Sequence, residues 1–407
     1  MAVTMTKTIT NYFNMELSTG QNLFIDSALR GENIFLTGKA GTGKSFVVKE
    51  IVRRLLSAGR KIVTIAPTGI AANNIGGSTI HSLFSINPFG ISTMASSNFL
   101  RGEKRRLLNA IEIIVIDEVS MLRPDILDCM NWTLLKNGCD GLHTKQIIFV
   151  GDLEQLPPVL NDNARSVLYQ TYDGDSFYYA KIYPKLNVIK IELDEVLRQT
   201  NEEFINNLNI IRGGGKSDYF KQFVGDDIKG VVLAPHNSTV DQYNHDGLNS
   251  LNSEKYVFTA SISGNVKADD FNLETVVTVK NGAKIMYLAN SKDNPLVNGT
   301  LGIFVSHSDC HYIHVDGVDY ALKPMKFTKK DYVLNEALNC LELEEKGSIE
   351  QYPIRLAYAL SIHKSQGLTF NEVTLDLKRP CFLKQQLYVA LSRVTAPEGL
   401  RIIISNK

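Results

Sequence analysis

Eight consecutive residues, Gly38-Lys39-Ala40-Gly41-Thr42-Gly43-Lys44-Ser45, carry the strongest chemical signal in the chain. Their glycines let successive backbone N–H groups curl around an anion. Lys44 brings an ammonium to the β- and γ-phosphates of a nucleotide, and Ser45 offers a hydroxyl to Mg²⁺. A helix expected to begin at Ser45 adds the favourable end of its dipole. A glycine turn without a ligand is the plain alternative, but the stretch lies between an apolar strand and a helix, the setting the motif needs. The expected ligand is ATP with Mg²⁺, and Gly38, Ala40, Gly41, Thr42, Gly43, Lys44 and Ser45 surround its phosphates.

Further along, Ile113-Ile114-Val115-Ile116-Asp117-Glu118 sets an acidic pair at the end of an apolar run. Asp117 there can hold Mg²⁺, commonly through water, while Glu118 polarises the attacking water. Solvated charge at a strand end would look similar on its own; the phosphate loop upstream favours chemistry. Gly151-Asp152-Leu153-Glu154-Gln155-Leu156-Pro157-Pro158 also follows an apolar run, so Gln155 is placed to feel the γ-phosphate, unless the stretch is a Pro-terminated surface loop.

A second family of loops has the right groups for a different phosphate. Pro67-Thr68-Gly69 follows a strand and starts a helix, so its N–H groups and hydroxyl suit a nucleic-acid backbone. Thr79, His81 and Phe84 lie on the next such segment, with Phe84 either stacking on a base or filling the core. His363-Lys364-Ser365-Gln366-Gly367 supplies matching donors late in the chain, and His236-Asn237 forms another polar loop. A hydroxyl and an imidazole can grip and release. None of these groups is arranged to read base edges, so sequence-independent contact with a single strand is expected.

Such loops need a frame that presents them together. Strand-like runs occur at Asn33–Thr37, Lys61–Ala66, Ile111–Ile116, Gln146–Val150 and Val188–Leu193, and several are almost wholly apolar, as for parallel strands covered on both faces. The alternation with helical stretches resumes at Val231–Ala234, Glu372–Leu377 and Leu400–Ser405. From about Thr259 to Gly347 short runs separated by turns indicate a small inserted β-barrel. The chain has 407 residues, enough for two or more domains, and its formal net charge is zero. A wholly basic binding surface is thereby excluded, though a local groove is not. Five scattered cysteines without a CxxC pair fit neither a zinc ribbon nor a disulfide framework and suit a reducing cytoplasm. No apolar run approaches a membrane span, and Met1 to Asn14 lacks the layout of a secretory signal.

The order of motifs resembles that of superfamily-one helicases, specifically the Pif family of 5′-to-3′ DNA helicases, from about Leu17 to Arg393. The resemblance rests on Leu17-Ser18-Thr19-Gly20-Gln21, the phosphate loop, Ala66 to Ala72, Gly77 to Ser82, Asp117 to Met121 and Gly151 to Pro158. It continues through Leu193 to Gln199, Leu296 to Thr300, Ser361 to Thr369 and Tyr388 to Arg393. The segment Ser120 to Met130 is similar to that family's own signature. By this resemblance Gln21 hydrogen-bonds the adenine and Gly367 joins the nucleotide site. Arg198 and Arg393 reach the γ-phosphate, where a guanidinium fork stabilises the transferring group, although a surface salt bridge is the bland reading of either arginine. Asn298 of the inserted barrel covers the strand from above, or lies in a solvated loop.

The implied fold is α/β, with two RecA-like parallel-sheet domains, a small wedge insertion in the first and an SH3-like β-barrel insertion in the second. The first domain would span 1–190, with the wedge at about 84–106; the second would span 191–407, with the barrel at about 259–347. The 84–106 stretch either splits duplex at a fork or is an ordinary long loop. The implied activity is ATP-dependent 5′-to-3′ translocation on single-stranded DNA by a chain that is monomeric when free. It would unwind duplex and forked DNA, RNA–DNA hybrids and G-quadruplexes, in the cytoplasm and without a membrane partner. The polarity follows from the resemblance and not from residue chemistry. A competing class, a phosphate-loop switch or protein remodeller, accounts for Lys44 and Asp117 but leaves the loops at Thr68 and His363 without a purpose.

Overall fold

The computed structural model describes residues 17–39, 41–88, 90–158, 160–194, 201–291, 293–307 and 310–405. In the first half, β1 (Ile34–Gly38), β2 (Ile62–Ala66), β3 (Ser78–Thr79), β4 (Ile113–Ile116), β5 (Gln146–Val150) and β6 (Ile189–Leu193) form one sheet. Its order is β3-β2-β4-β5-β1-β6, and every pair is parallel. The β-branched run Ile113 to Ile116 is wholly buried between β2 and β5, the place in a sheet where such side chains pack best. Because the strands run the same way, the loops that follow β1, β2, β4 and β5 all emerge at one edge. That parallelism gathers the phosphate loop, Thr68, Asp117-Glu118 and Gln155.

The helix Lys44–Ser57 begins where Gly43 turns left-handed at φ 81° and ends before Gly59 at φ 74°. Val47, Val48, Ile51 and Leu55 make one apolar face, which packs with Phe24, Ile25 and Ala28 of the helix Thr19–Leu29. Truncating Ile51 to Ala would cost about 2–5 kcal/mol and loosen the base of the phosphate loop.

β7 (Val231–Ala234) starts a second sheet, which is interrupted by antiparallel strands. These are β8 (Lys255–Thr259), β9 (Ser261–Gly264), β10 (Val276–Lys280), β11 (Lys284–Tyr287), β12 (Leu301–His307), β13 (Cys310–Val315), β14 (Val318–Leu322), β15 (Met325–Asn335), β16 (Cys340–Gln351) and β17 (Ile354–Leu356). They pair as β10-β8, β14-β13-β12-β11-β17 and β15-β16-β9. Val277, Val279, Ile285, Phe304, Ile313 and Ile354 give the module a core of its own. The second sheet then resumes with β18 (Ala359–Ser361), β19 (Val373–Asp376) and β20 (Leu400–Ile403), in the parallel order β18-β7-β19-β20. The antiparallel strands thus run from Lys255 to Leu356, wider than the expected 259–347.

The β15–β16 hairpin leaves this module and reaches the first sheet. A register shift between Lys329 and Lys330 marks a bulge, a device that re-aims the strand. Beyond it Tyr332, Leu334 and Leu341 pack against the core of the first sheet, and Glu336 pairs with Arg106. The 84–106 stretch is braced by the helix Pro124–Lys136 and the residue after it. Asp125 accepts from the Ser92 N–H at 2.7 Å, Lys136 Nζ donates to the Ser97 carbonyl at 2.8 Å, and Asn137 Nδ2 donates to that of Asn98 at 2.9 Å. Its basic end is the start of the helix Gly102–Ala110.

Candidate nucleotide cleft and nucleic-acid groove

Gly41, Thr42, Gly43, Lys44, Ser45, Glu118, Gln155, Gly367 and Arg393 line one cleft of about 400 Å³. The first seven belong to loops of the first sheet, and the last two lie in segments of the second. Gly38 adopts φ 153°, and a Cβ there would come within 2.6 Å of the Leu193 carbonyl, so only glycine fits where the loop leaves β1. Gly41 and Gly43 are also left-handed, at φ 84° and 81°, the backbone conformation from which anion-binding nests of N–H groups are built. Lys44 Nζ donates to the carbonyls of Gly38 and Lys39 at 2.7 and 2.9 Å, holding the ammonium over the loop. Gln21 caps its own helix through Ser18 and donates to the Thr42 carbonyl at 3.5 Å, which ties it to the same loop.

Glu118 occupies the left-handed region at φ 51°, uncommon for a residue with a side chain. Its N–H donates to Asp117 Oδ1 at 2.8 Å. Burial drives the Glu118 carboxyl up to about 7, and the Asp117 charge adds to the rise while Lys44 and Arg393 oppose it. Burial likewise raises Asp117. It lowers the Lys44 ammonium, against the pull of Asp152, Glu118 and Asp117. A carboxylate poised near neutrality is suited to take a proton from water. Ser45 and Asp117 supply one hydroxyl and one carboxylate, hard oxygen donors that fit Mg²⁺ with most of its shell left to phosphate and water. Among the described residues no cluster of three or more His, Cys, Asp or Glu could hold a metal alone.

Arg393 is 1% exposed, and its guanidinium donates to the carbonyls of Val389 and Leu368 at 2.7 and 3.2 Å and to Ser392 Oγ at 2.7 Å. Arg198 and Ala40 lie outside the described residues. A cross-sheet ion pair, absent from the sequence reading, lies beside the cleft. Arg212, at the end of the helix Glu202–Arg212, donates to Asp152 Oδ1 at 2.9 Å.

The groove is smaller, about 250 Å³. Pro67, Gly69, Thr79 and His81 line it from the first sheet, and Asp270 and Lys329 to Asp331 from the inserted module. Thr68 Oγ1 accepts from the Ala71 N–H and Thr79 Oγ1 from the Ser82 N–H, each at 3.2 Å, so each hydroxyl caps a short helix. A capping hydroxyl still has its own hydrogen to donate. Gly69 faces the module so closely that a Cβ would meet the Asp270 carbonyl at 2.5 Å. Asp331 accepts from Ser82 Oγ at 2.6 and 2.7 Å and from Ser78 Oγ at 2.9 Å. One anionic group is thus already held by hydroxyls of the first sheet.

Of the two roles open to Phe84 the structure takes the core and rules out its place among the nucleic-acid contacts: it is 0% exposed within the first sheet's core, and a ring so enclosed cannot stack on a base. His363 and His236 do lie together, joined by a ring that the sequence did not single out. Phe382 is 57% exposed and stacks on His363 with centroids 6.0 Å apart and planes 14° apart; His236 packs on it at 5.5 Å. The available signal was an aromatic between Cys381 and Leu383 ahead of an amphipathic helix, which has no fixed spacing to either histidine. His236 Nε2 also bonds the Pro380 carbonyl at 3.1 Å, while Asn237 opens the helix Asn237–Asn249. Lys364 is exposed next to His363. The Asn298 N–H donates to Asn290 Oδ1 at 3.0 Å in a loop of the module.

A family model described as PIF1-like helicase matches residues 17–219. The ATP-dependent DNA helicase Pif1 of Campylobacter jejuni is 29% identical over 94% of this chain and 91% of its own length. The structure of a Bacteroides Pif1 with ADP-AlF4 superposes with a TM-score of 0.85 at 32% identity, covering 96% of this chain and 92% of that one. Against Bacteroides Pif1 bound to ssDNA the TM-score is 0.68, at the same identity and coverage.

Proposed function

The chain belongs to the PIF1-like helicase family and is an ATP-dependent DNA helicase; we propose that it moves 5′ to 3′ along single-stranded DNA and opens the duplex ahead of it. The observation that carries the reading is that Lys44 and Arg393, from segments of different sheets, line one cleft. An anion bound there is contacted from both sides, so its arrival and loss change how the two sheets sit relative to each other.

In this reading the chain comprises two RecA-like domains, roughly 1–190 and 191–407, with the antiparallel module inserted in the second. Gly38 to Ser45 cradles the triphosphate of ATP, Gln21 takes the adenine, and Ser45 with Asp117 holds Mg²⁺. The metal, when bound, neutralises phosphate charge. Glu118 orients and deprotonates the attacking water, Gln155 senses the γ-phosphate, and Arg198 and Arg393 stabilise the transferring group. Thr68 and Thr79 donate their hydroxyl hydrogens to backbone phosphates of DNA, with Pro67, Gly69 and His81 around them. His236, Asn237, His363 and Lys364 grip on the other side, and Asn298 covers the strand. Alternating tightness of the two grips converts each closure into a step. RNA–DNA hybrids and G-quadruplexes are proposed as further substrates of a free monomer.

The test is unwinding of duplexes with either a 5′ or a 3′ single-stranded tail, with ATP and with Lys44→Ala as control. Unwinding from the 5′ tail alone is expected. Activity from the 3′ tail only would reverse the polarity, and equal activity of Lys44→Ala would remove the site. A switch or remodeller without a nucleic-acid substrate would hydrolyse ATP at a rate indifferent to saturating oligonucleotide.

A further inference from the structure

Between the two sheets one neutral side chain touches a polar residue of each hydrolytic loop. Gln366 Nε2 donates to Glu118 Oε2 and to Gln155 Oε1, each at 3.2 Å. A single amide nitrogen has two hydrogens, and both are spent on residues that lie 248 and 211 positions away in sequence. We propose that Gln366 is a positioning residue for hydrolysis: by bridging Glu118 and Gln155 from the opposite side of the cleft, it aligns the carboxylate when the loop 361–367 is docked. The inference rests on the reading of Glu118 as the group that orients the attacking water.

The surroundings of both partners support this assignment. Glu118 sits on a left-handed backbone at φ 51°, a conformation that persists only when neighbours over-determine it. Its carbonyl is held by the Met121 N–H at 3.1 Å and its N–H by Asp117, so the backbone is fixed while the carboxylate extends into the cleft. Gln366 is the side chain that meets it there. An amide suits this task better than a cation. It restrains a carboxylate and a second amide at once and adds no charge beside Lys44 and Arg393.

The loop that carries Gln366 is stiff and faces two ways. Ser365 is 0% exposed; its N–H donates to the Ser361 carbonyl at 3.1 Å and its Oγ to that of Ile362 at 2.8 Å. The Gln366 N–H donates to the His363 carbonyl at 3.2 Å, closing one turn. His363 lies at the other end of that turn, stacked on exposed Phe382. A strand gripped at His363 and a carboxylate aligned by Gln366 are therefore linked through one backbone hydrogen bond. In this arrangement DNA binding stimulates hydrolysis by seating the loop that aligns Glu118.

The test measures single-turnover and steady-state ATP hydrolysis by the full chain with saturating oligothymidylate. The variants are Gln366→Met, Gln366→Glu, Glu118→Gln and the Gln366→Met/Glu118→Gln pair. Gln366→Met should lower kcat by about 10- to 100-fold, as for loss of one hydrogen bond to a charged group. KM for ATP and Kd for a labelled oligonucleotide should stay within about threefold, because uniform binding is untouched. Gln366→Glu keeps the shape and loses the donor, so it should fall at least as far; it carries the test if the Met variant does not fold. In the Glu118→Gln background, Gln366→Met should cost less than about twofold, since the carboxylate it aligns is gone. An unchanged kcat, a parallel loss of oligonucleotide affinity, or the same fold-loss in both backgrounds would overturn the proposal. Full turnover by Glu118→Gln alone would instead remove the reading of Glu118 on which it rests.

Discussion

In the cleft, Gly41 to Ser45 are consecutive residues, and that one segment supplies half of the wall. In the groove, Ser78 and Ser82 meet Asp331 from 253 and 249 residues away. The cleft concentrates charge, with Lys44, Asp117 and Arg393 all close enough to shift the protonation of Glu118. The groove sets hydroxyls, an imidazole and backbone N–H groups beside charges that are partly paired, as Lys329 is with Asp270 at 3.3 Å. A site that must break a phosphoanhydride bond needs a strong, fixed field. A site that must let go of its ligand at each step is better served when much of its charge is already paired and neutral donors share the contact.

Removing the charge from the cleft should therefore separate the two regions most sharply. Lys44→Ala is expected to lower ATP turnover by on the order of 10³-fold, the scale for loss of a group that stabilises phosphoryl transfer. Kd for an oligonucleotide without nucleotide should change by less than about threefold, since Lys44 contributes nothing to the groove. Turnover is read by phosphate release and binding by fluorescence anisotropy. A parallel loss of both would mean that the two regions are one site.

This contrast also explains what could be read from the chain. The strands β1, β4, β5 and β7 are apolar runs whose burial depends on their own composition, and the phosphate loop is a contiguous pattern between β1 and the helix Lys44–Ser57. Both were legible because the physics is local. The hairpin β15–β16 was not. Nothing in Lys329-Lys330-Asp331-Tyr332 states that a bulge will turn Asp331 toward Ser78 and Ser82. Phe84 stayed open for a related reason: an aromatic four residues from a helix start suits a core as well as a base, and only the packed neighbours decide. Gln366 was visible as part of a polar loop, but its contact with Glu118 exists only once two sheets meet.

The tie between the two sheets offers the next largest effect. Asp152 is buried beneath the cleft, and Arg212, whose side chain is 17% exposed, donates to it at 2.9 Å. Arg212→Met leaves that carboxylate without its cation and should lower stability by about 2–3 kcal/mol, somewhat under the range for a fully buried pair. Asp152→Asn with Arg212→Met should lose less than the sum of the single changes, because the second removes a charge already unpaired. Urea unfolding followed by fluorescence reads this directly. Additive losses would show that the two residues act separately and that the sheets are held elsewhere.

Smaller changes should appear when the groove alone is altered. Thr79→Val removes a cap and a donor together. It should cost about 1 kcal/mol of stability and weaken oligonucleotide binding about fivefold. Thr79→Ser should restore both, and KM for ATP should not move. A Thr79→Val protein with normal oligonucleotide affinity would take Thr79 out of the groove and leave it a helix cap.

The finest distinction concerns charge itself. Burial holds His81 and His363 below the ordinary imidazole value of 6.5, and the Arg123 charge adds to this at His81. Both rings are therefore neutral in the folded chain at pH 7, while the unfolded chain takes up their protons first as the pH falls. Their contribution to stability is intact above pH 6.5 and declines as the pH drops below it. The thermal midpoint of the parent should fall between about pH 7 and 5, with carboxylates contributing to that fall. The informative quantity is the difference from His81→Asn or His363→Asn, which should flatten the slope. Neutral rings add nothing to the salt dependence of oligonucleotide binding at pH 7, whereas each charged ring in contact with phosphate would add about −0.7 to the logarithmic slope on single strands. A steep slope at pH 7 that these variants reduce would mean that the rings are charged there, and the groove would then work by the same strong field as the cleft.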